Sequence, residues 1–326
     1  MEIRRELRIF GVMEKIVILD GYVANSGDLS WKALENLGEV TVYDRTAPGE
    51  VVERANDATA IYTNKVVITD EIMEALPALK FIGVLATGYN NVDIEASHRR
   101  GIAVCNVPAY STDSVAQLVF AHLLHIINTI GDYAESVNKG EWSGNKDFSY
   151  RLTPFNELAG MTIGIIGMGN IGRRVAAIAQ AFGMKVITNS KRELPEGVER
   201  VSLDKLFSQS DVISLNSALT PATKGIVNRE AIAKMKPSAI LINTSRGPLV
   251  DEEALAEALR EERIAAAGID VLCEEPPRHG SPLIGCPRCY VTPHIAWQST
   301  QARKRLIDIS IENLKSSIGN NPQNLV

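Results

Sequence analysis

The stretch GIIGMGNIG, residues 164–172, decides how the rest of the chain is read. Gly167, Gly169 and Gly172 have the spacing of a dinucleotide-binding loop, but glycines also serve plain strand-to-helix turns, so the match needs its context. MTIGIIG (161–167) reads as a buried strand, and RRVAAIAQAFG (173–183) continues as a helix. In that setting Gly167 permits the tight turn. Gly169 leaves room for a pyrophosphate, and Gly172 lets the helix pack close to the strand. The helix start, at Asn170 and Ile171, offers free N–H groups and a positive dipole end to phosphate.

Working outward, short apolar runs alternate with helical patterns along nearly the whole chain. KIVILD (15–20), EVTVYD (39–44), AIYTNKV (60–66), FIGVLAT (81–87) and IAVCNVP (102–108) read as strands, with helical stretches such as WKALENL and DEIMEALPAL between some of them. Continuous Val/Ile runs are the mark of strands covered on both faces, hence of a parallel sheet in an α/β fold. A long, mostly apolar helix follows at 114–131, which Ser111, Thr112 or Asp113 can cap. A second block begins near Met161, with strands TIGIIG, KVITN, DVISLN, AILINT and AAAGIDV, closed by YVTPHIA (290–296). A last helix, TQARKRLIDISIENLKSSI, spans 300–318. The second block thus sits inside the first. The expected boundaries are 14–110 plus 298–326 for one domain and 111–297 for the other, with 1–13 as an N-terminal extension.

The 326 residues suit two domains, and a hydrophobic share of 45% can fill two cores. A formal net charge of −5 argues against a broad nucleic-acid-binding face. The charged start MEIRRELRIFGVMEK lacks the apolar core of a secretory signal. Gln117, His122, His125 and Asn128 interrupt the 114–131 stretch, against a membrane span. The expectation is a soluble, cytoplasmic protein. Four cysteines are too few for a disulfide scaffold, and Cys286 and Cys289 in CPRC have no second pair for zinc. They read as ordinary loop cysteines, and no metal is expected.

The strand after the glycine loop, in MKVITNSKRE, ends at Ser190, followed by Lys191 and Arg192. An acid there would accept hydrogen bonds from a ribose 2′-hydroxyl, whereas a hydroxyl and two cations suit a 2′-phosphate. This favours NADP(H) over NAD(H), although a missing acid does not forbid NAD.

Three further residues fall at strand ends, where ligands of open α/β sheets bind. Arg246 follows AILINT, and its fork can hold a carboxylate bidentately. Glu275 follows GIDVLC, and His294 follows the strand in VTPHIAWQS. A glutamate beside a histidine favours the imidazolium, and such a histidine serves as acid and base near neutral pH. Together they suggest one reaction. Arg246 binds and polarises a 2-oxo acid, a nicotinamide delivers hydride to its carbonyl carbon, and His294, oriented by Glu275, protonates the oxygen. His98, His122, His125 and His279 lack such a context and read as surface or helix residues.

With these motifs in place, the chain resembles the D-isomer-specific 2-hydroxyacid dehydrogenase family from about residue 14 almost to its end. The resemblance rests on ATGYNNVD (86–93), GIIGMGNIG, NTSRGPLVDEEAL, GIDVLCEEPP and TPHIAWQS. It implies two Rossmann-like domains with parallel sheets, the cofactor domain inserted into the substrate domain. It implies Arg246, Glu275 and His294 as the catalytic set and Ala86, Thr87 and Gly88 as a substrate-carboxylate loop acting through backbone N–H groups. Asp270 would contact the nicotinamide amide, and Asn216 and Thr244 would line the cofactor. CNVPAYSTDSVAQ and PHIAWQS point to the glycerate dehydrogenase/hydroxypyruvate reductase subgroup, with Trp297 near the mouth of the site. The implied reaction reduces hydroxypyruvate or glyoxylate to D-glycerate or glycolate. The alternatives are D-lactate or 3-phosphoglycerate as the 2-hydroxy acid, or a dinucleotide-sensing, co-repressor-like binding protein. A homodimer through the 112–130 helix region is also implied. Two departures stand out: Ser190 replaces the NAD-selecting acid, and Asn216 and Ala218 stand where His and Pro are more frequent.

Overall fold

The computed structural model describes residues 14–326, so the expected extension at 1–13 lies outside the described residues. The chain forms two compact α/β units: the described residues up to Ser111 together with Gln298–Val326, and Thr112–Trp297.

The first unit is built on five parallel strands, β1 (Glu14–Ile18), β2 (Gly38–Val42), β3 (Ala60–Thr63), β4 (Phe81–Val84) and β5 (Ala103–Cys105). Their order is β2-β1-β3-β4-β5. The inner strands β3 and β4 are buried at every residue, as their apolar runs require, while edge strand β2 is largely exposed. The helix Thr300–Ile318 returns to this sheet, and the Tyr62 hydroxyl of β3 donates to the Ser310 carbonyl at 2.8 Å.

The second unit has seven parallel strands: β6 (Thr162–Ile166), β7 (Lys185–Thr188), β8 (Val198–Arg200), β9 (Val212–Leu215), β10 (Ile240–Asn243), β11 (Ala266–Ile269) and β12 (Cys289–Val291). Their order is β12-β11-β10-β9-β6-β7-β8. Two cores cover its faces. Ala116, Val119 and Leu123 of the helix Thr112–Asn128 share one with Val175, Ala176 and Ala179 of the helix Asn170–Ala181. Leu206, Phe207, Leu255 and Leu259 lie in the other. Trimming a fully buried side chain such as Leu123 to alanine costs about 2–5 kcal/mol.

The structure corrects several details. The helix expected over 114–131 breaks at Thr129, whose φ of 42° is left-handed, and resumes as Ile130–Asn138. No single helix among the described residues is long and apolar enough to cross a membrane. WKALENL keeps only a 3-10 turn at Leu34–Asn36, because the chain enters β2 two residues later. Cys289 opens β12 rather than lying in a loop, and buried Cys286 points its thiol at the Ala256 carbonyl. The apolar side of the 112–128 helix is consumed within its own unit. The exposed apolar side chains come after it, at Ile130, Val137, Trp142, Phe148 and Phe155.

Candidate active site

In the second unit the strand order reverses between β6 and β9, and the loops leaving them part at that point. Such a switch point is where open α/β sheets bind ligands. The β6 loop turns at Gly167, whose φ is +97° and where a Cβ would meet the Asn216 carbonyl oxygen at 2.5 Å. A Cβ on Gly172 would lie 2.0 Å from the Gly167 oxygen, so helix and turn touch there. Gly169, by contrast, opens on space: the nearest atom to a Cβ is Arg192 Nη1 at 3.9 Å. The helix Asn170–Ala181 starts without a side-chain cap, unlike the helices capped by Asp93, Ser202, Asp251 and Ser299. Its first N–H groups are left for an anion. Three buried polar atoms also lack partners, Asn216 Oδ1 and Ser217 Oγ beside the turn and Thr244 Oγ1 at the end of β10. An unsatisfied buried polar atom costs about 1–3 kcal/mol, so the three mark a place completed by a polar ligand or water.

The loop after β7 carries Lys191 and Arg192 beside Glu193 and Glu196, and Arg200 ends β8. Ser190 Oγ accepts from Arg192 N at 3.2 Å. Arg200 of β8 donates from Nε to the Ser190 carbonyl at 2.7 Å and from Nη2 to the Arg192 carbonyl at 2.6 Å. Arg173 Nη2 bonds the Glu193 carbonyl at 2.5 Å. Lys191 and Arg192 are exposed.

The three expected catalytic residues leave the ends of neighbouring strands β10, β11 and β12. Arg246 is exposed, and its guanidinium donates from Nη1 to the Ser245 carbonyl at 2.7 Å. Asn243 shapes this turn, donating to the Arg246 carbonyl at 2.9 Å and accepting from Ser245 N at 3.0 Å. Gly247 then passes so close to Leu272 and Cys273 that a Cβ would lie 2.0 Å from the Leu272 carbonyl carbon. Only glycine lets the Arg246 turn approach the segment leading to Glu275. Glu275 Oε1 accepts from Leu272 N at 2.9 Å, and Oε2 meets His294 Nδ1 at 2.6 Å. This bond orients the ring and leaves Nε2 for a ligand, as acceptor when the ring is neutral and as donor when it is protonated. His294 has a left-handed φ of 54°, an uncommon conformation for a non-glycine residue.

That turn is held by Asp270, which is 1% exposed. Asp270 Oδ1 accepts from Ile295 N at 2.9 Å and from Thr292 Oγ1 at 2.6 Å, and Oδ2 accepts from Ala296 N at 2.8 Å. Burial holds its carboxyl above the ordinary value, and the Thr292, Ala296 and Ile295 bonds offset only part of that rise. His294 N donates to the Asp270 carbonyl at 2.8 Å. Behind Thr292 stands His122, with Nε2 3.1 Å from Thr292 Oγ1. The Thr292 hydroxyl proton goes to Asp270, so His122 Nε2–H is the donor. His122 is buried, not a surface residue. It lies over Gly268, where a Cβ would sit 2.7 Å from its own, and burial pushes its pKa down to about 4.

In the first unit, Ala86, Thr87 and Gly88 follow β4. Asn106 Nδ2 donates to the Thr87 carbonyl at 2.7 Å, and Thr87 Oγ1 donates to the Val107 carbonyl at 2.9 Å. Among the described residues, no acceptor takes the N–H of Thr87 or Gly88.

Residues 120–296 match the family model described as D-isomer specific 2-hydroxyacid dehydrogenase, NAD binding domain. A hydroxypyruvate reductase of Blautia hydrogenotrophica is 47% identical to this chain, covering 96% of it and 99% of the relative. A glycerate dehydrogenase of Methylorubrum extorquens is 40% identical over 96% and 99%. The chain belongs to the D-isomer-specific 2-hydroxyacid dehydrogenase family. Among solved structures, an acyclic imino acid reductase in complex with NADPH and D-Arg superposes with a TM-score of 0.83 at 32% identity, covering 96% of this chain and 99% of that one.

As a member of this dehydrogenase family the chain has an NAD-binding domain, and its residues fit a nicotinamide dinucleotide. The space over Gly169, the uncapped helix and the three unpartnered polar atoms are the observations that carry the fit. Of the expected cofactor residues, Gly167, Gly169, Asn170, Ile171, Gly172 and Asn216 lie at one switch point, and Thr244 follows the neighbouring β10. Ser190, Lys191 and Arg192 follow the adjacent β7. Asp270 sits beneath the His294 turn, and Trp297, the last residue of its unit, is half-buried. Sequence reasoning missed His122, Thr292, Ser217 and Arg200. The signal for His122 was a histidine on an apolar helix face, together with a glycine inside the strand AAAGIDV.

Proposed function

We propose that this dehydrogenase reduces hydroxypyruvate, and glyoxylate with it, to D-glycerate and glycolate, using NADPH in preference to NADH. The observation that carries the reading is the 2.6 Å Glu275–His294 pair on the strand edge that also bears Arg246. The relatives named for hydroxypyruvate and glycerate support the substrate.

In this reading Arg246 pairs with the 2-oxo acid and polarises its carbonyl. Thr87 and Gly88 give their N–H groups to its carboxylate. When bound, the dinucleotide supplies the hydride that the carbonyl carbon receives. His294 Nε2–H passes a proton to the carbonyl oxygen, and Glu275 holds the imidazolium before that transfer. The products are the 2-hydroxy acid and the oxidised dinucleotide. In the reverse direction neutral His294 takes the hydroxyl proton. Asp270 acts by fixing the turn that carries His294, and Trp297 borders the site.

Lys191 and Arg192, directly after Ser190, support NADP(H). Ser190 brings no negative charge, and Lys191, Arg192 and Arg200 surround it, which suits a 2′-phosphate. The segment 111–297 acts as the cofactor domain, and 14–110 with 298–326 as the substrate domain. The chain forms a homodimer through the 112–130 region and the segment after it, supported by exposed Ile130, Trp142, Phe148 and Phe155. A cytoplasmic setting agrees with four unpaired cysteines.

The test is nicotinamide absorbance during reduction of hydroxypyruvate, glyoxylate and pyruvate, each with NADPH and with NADH. The expected order of kcat/KM is hydroxypyruvate, then glyoxylate, then pyruvate, with NADPH ahead. Preference for pyruvate would move the activity to a D-lactate dehydrogenase. Preference for NADH would reduce the 190–192 cations to a solvated loop.

A further inference from the structure

The loop 86–88 is fastened at consecutive carbonyls. Leu85 O accepts from Asn64 Nδ2 at 2.6 Å and Ala86 O from Val107 N at 2.9 Å. Thr87 O accepts from Asn106 Nδ2 at 2.7 Å. In an ordinary strand successive carbonyls point to opposite sides. Here the carbonyls of Ala86 and Thr87 both bond to the 106–107 segment, one to a backbone N–H and the next to a side chain. A trans peptide sets its N–H opposite its carbonyl. The N–H groups of Thr87 and Gly88 are therefore both turned away from that segment, side by side. Two consecutive N–H groups facing one way form a concavity that binds an anion. The Asn106 side chain is what turns the second one.

Asn106 is itself fastened. Its N–H donates to the Asn324 carbonyl at 3.1 Å, and its carbonyl accepts from Asn313 Nδ2 at 2.8 Å. Asn313 lies in the 300–318 helix and is 1% exposed, and its Oδ1 accepts from Asn324 Nδ2 at 2.8 Å. Residues 325 and 326 continue along β5 through the antiparallel Cys105–Leu325 bridge and the 3.1 Å bond from Val326 N to Val104 O. The side chains of Asn106, Asn313 and Asn324 that make these bonds are all neutral amides.

We propose that Asn106, set in place by Asn313 and Asn324, is a positioning residue that aims the Thr87 and Gly88 N–H groups at the carboxylate of the substrate. The inference rests on the reading of 86–88 as the carboxylate loop. It makes affinity for the 2-oxo acid depend on the segment 313–324, while binding of the dinucleotide does not.

The experiment measures kcat and KM for hydroxypyruvate at saturating NADPH, Kd for NADPH by fluorescence, and thermal unfolding. It compares the wild-type chain with Asn106→Ala, Asn106→Asp, Asn313→Ala and Gly88→Pro. A misaimed charge-assisted hydrogen bond is expected to raise KM by about tenfold or more in both Asn106 variants. There kcat changes by less than about threefold, and Kd for NADPH stays within about twofold. Asn106→Asp keeps the shape and loses the donor, so it separates aim from packing and stands in if Asn106→Ala fails to fold. Asn313→Ala gives a smaller rise in KM, because the Asn106 donor remains. A merely structural role would instead shift KM, kcat and NADPH affinity together with the melting temperature. Unchanged KM in both Asn106 variants, with a raised KM in Gly88→Pro, would overturn the positioning role and leave the carboxylate loop standing. Unchanged KM in Gly88→Pro as well would remove the loop reading, and the inference with it.

Discussion

The two units share a layout and treat its key feature oppositely. Each is a parallel sheet whose strand order reverses beside its first strand, between β1 and β3 in one and between β6 and β9 in the other. In the second unit the reversal is lined by Gly167, Gly169 and Gly172, an uncapped helix and three unpartnered polar atoms. In the first unit the same place is occupied by a side chain, with Asn64 Oδ1 the one buried polar atom there left unpartnered among the described residues. Asp20, 7% exposed, accepts the N–H groups of Asn64 at 2.7 Å, Lys65 at 2.6 Å and Val66 at 3.1 Å. One carboxylate there does what a ligand's phosphates do at the glycine loop. Topology alone therefore does not make a dinucleotide site; the residues leaving the strands decide it.

The sharpest way to break this contrast is at the second unit's strand edge. Glu275→Gln is expected to lower kcat by about 10²- to 10⁴-fold, the usual worth of a positioned acid–base group, with NADPH affinity unchanged. Equal loss of NADPH binding would merge the catalytic edge with the cradle. Asp20→Ala tests the filled crevice. Three N–H groups lose their acceptor, so chemical denaturation should register a loss of about 2–4 kcal/mol, with no change in NADPH Kd. A variant that bound dinucleotide differently would make the first unit part of the cofactor site.

His122 offers a pH test of the second unit. Its folded pKa, about 4, lies below the ordinary 6.5, so the unfolded chain takes up a proton first as the pH falls. Stability is then lost between about pH 6.5 and 4, by up to about 3 kcal/mol. His122→Gln keeps a donor for Thr292 and removes the titration. Unfolding curves across that window should show a shallower acid slope than the wild type, and an unchanged slope would assign the acid sensitivity elsewhere. The smallest effect belongs to Ser190→Asp. A carboxylate among Lys191, Arg192 and Arg200 should shift the NADPH-to-NADH ratio of kcat/KM towards NADH by about tenfold. A constant ratio would show that the 2′-phosphate is not read there.

Much of this was legible in the residues. The Val/Ile runs announced buried parallel strands, and the glycine spacing with its strand and helix announced the cradle. Arg246, Glu275 and His294 lie beyond strand ends, as the apolar runs before them announced. What escaped was set by three-dimensional partnership. The Asp270–Thr292–His122 chain joins a helix residue to a strand end 170 positions away, and no local pattern reports that distance. The strand β8 is only three residues long and shows no apolar run, yet it brings Arg200 to the Ser190 loop. The break at Thr129 was hidden because the apolar pattern runs through it without a proline or glycine at the break.

The central claim is that His294 is the proton donor of an NADPH-dependent reduction, and one paired measurement reaches it directly. Wild-type chain and His294→Asn are titrated with NADPH by fluorescence and then given hydroxypyruvate while nicotinamide absorbance is followed. Equal NADPH affinity, with turnover in the wild type and a loss of about 10²-fold or more in the variant, is the predicted result. Turnover by His294→Asn at the wild-type rate, or none by the wild type, would contradict it.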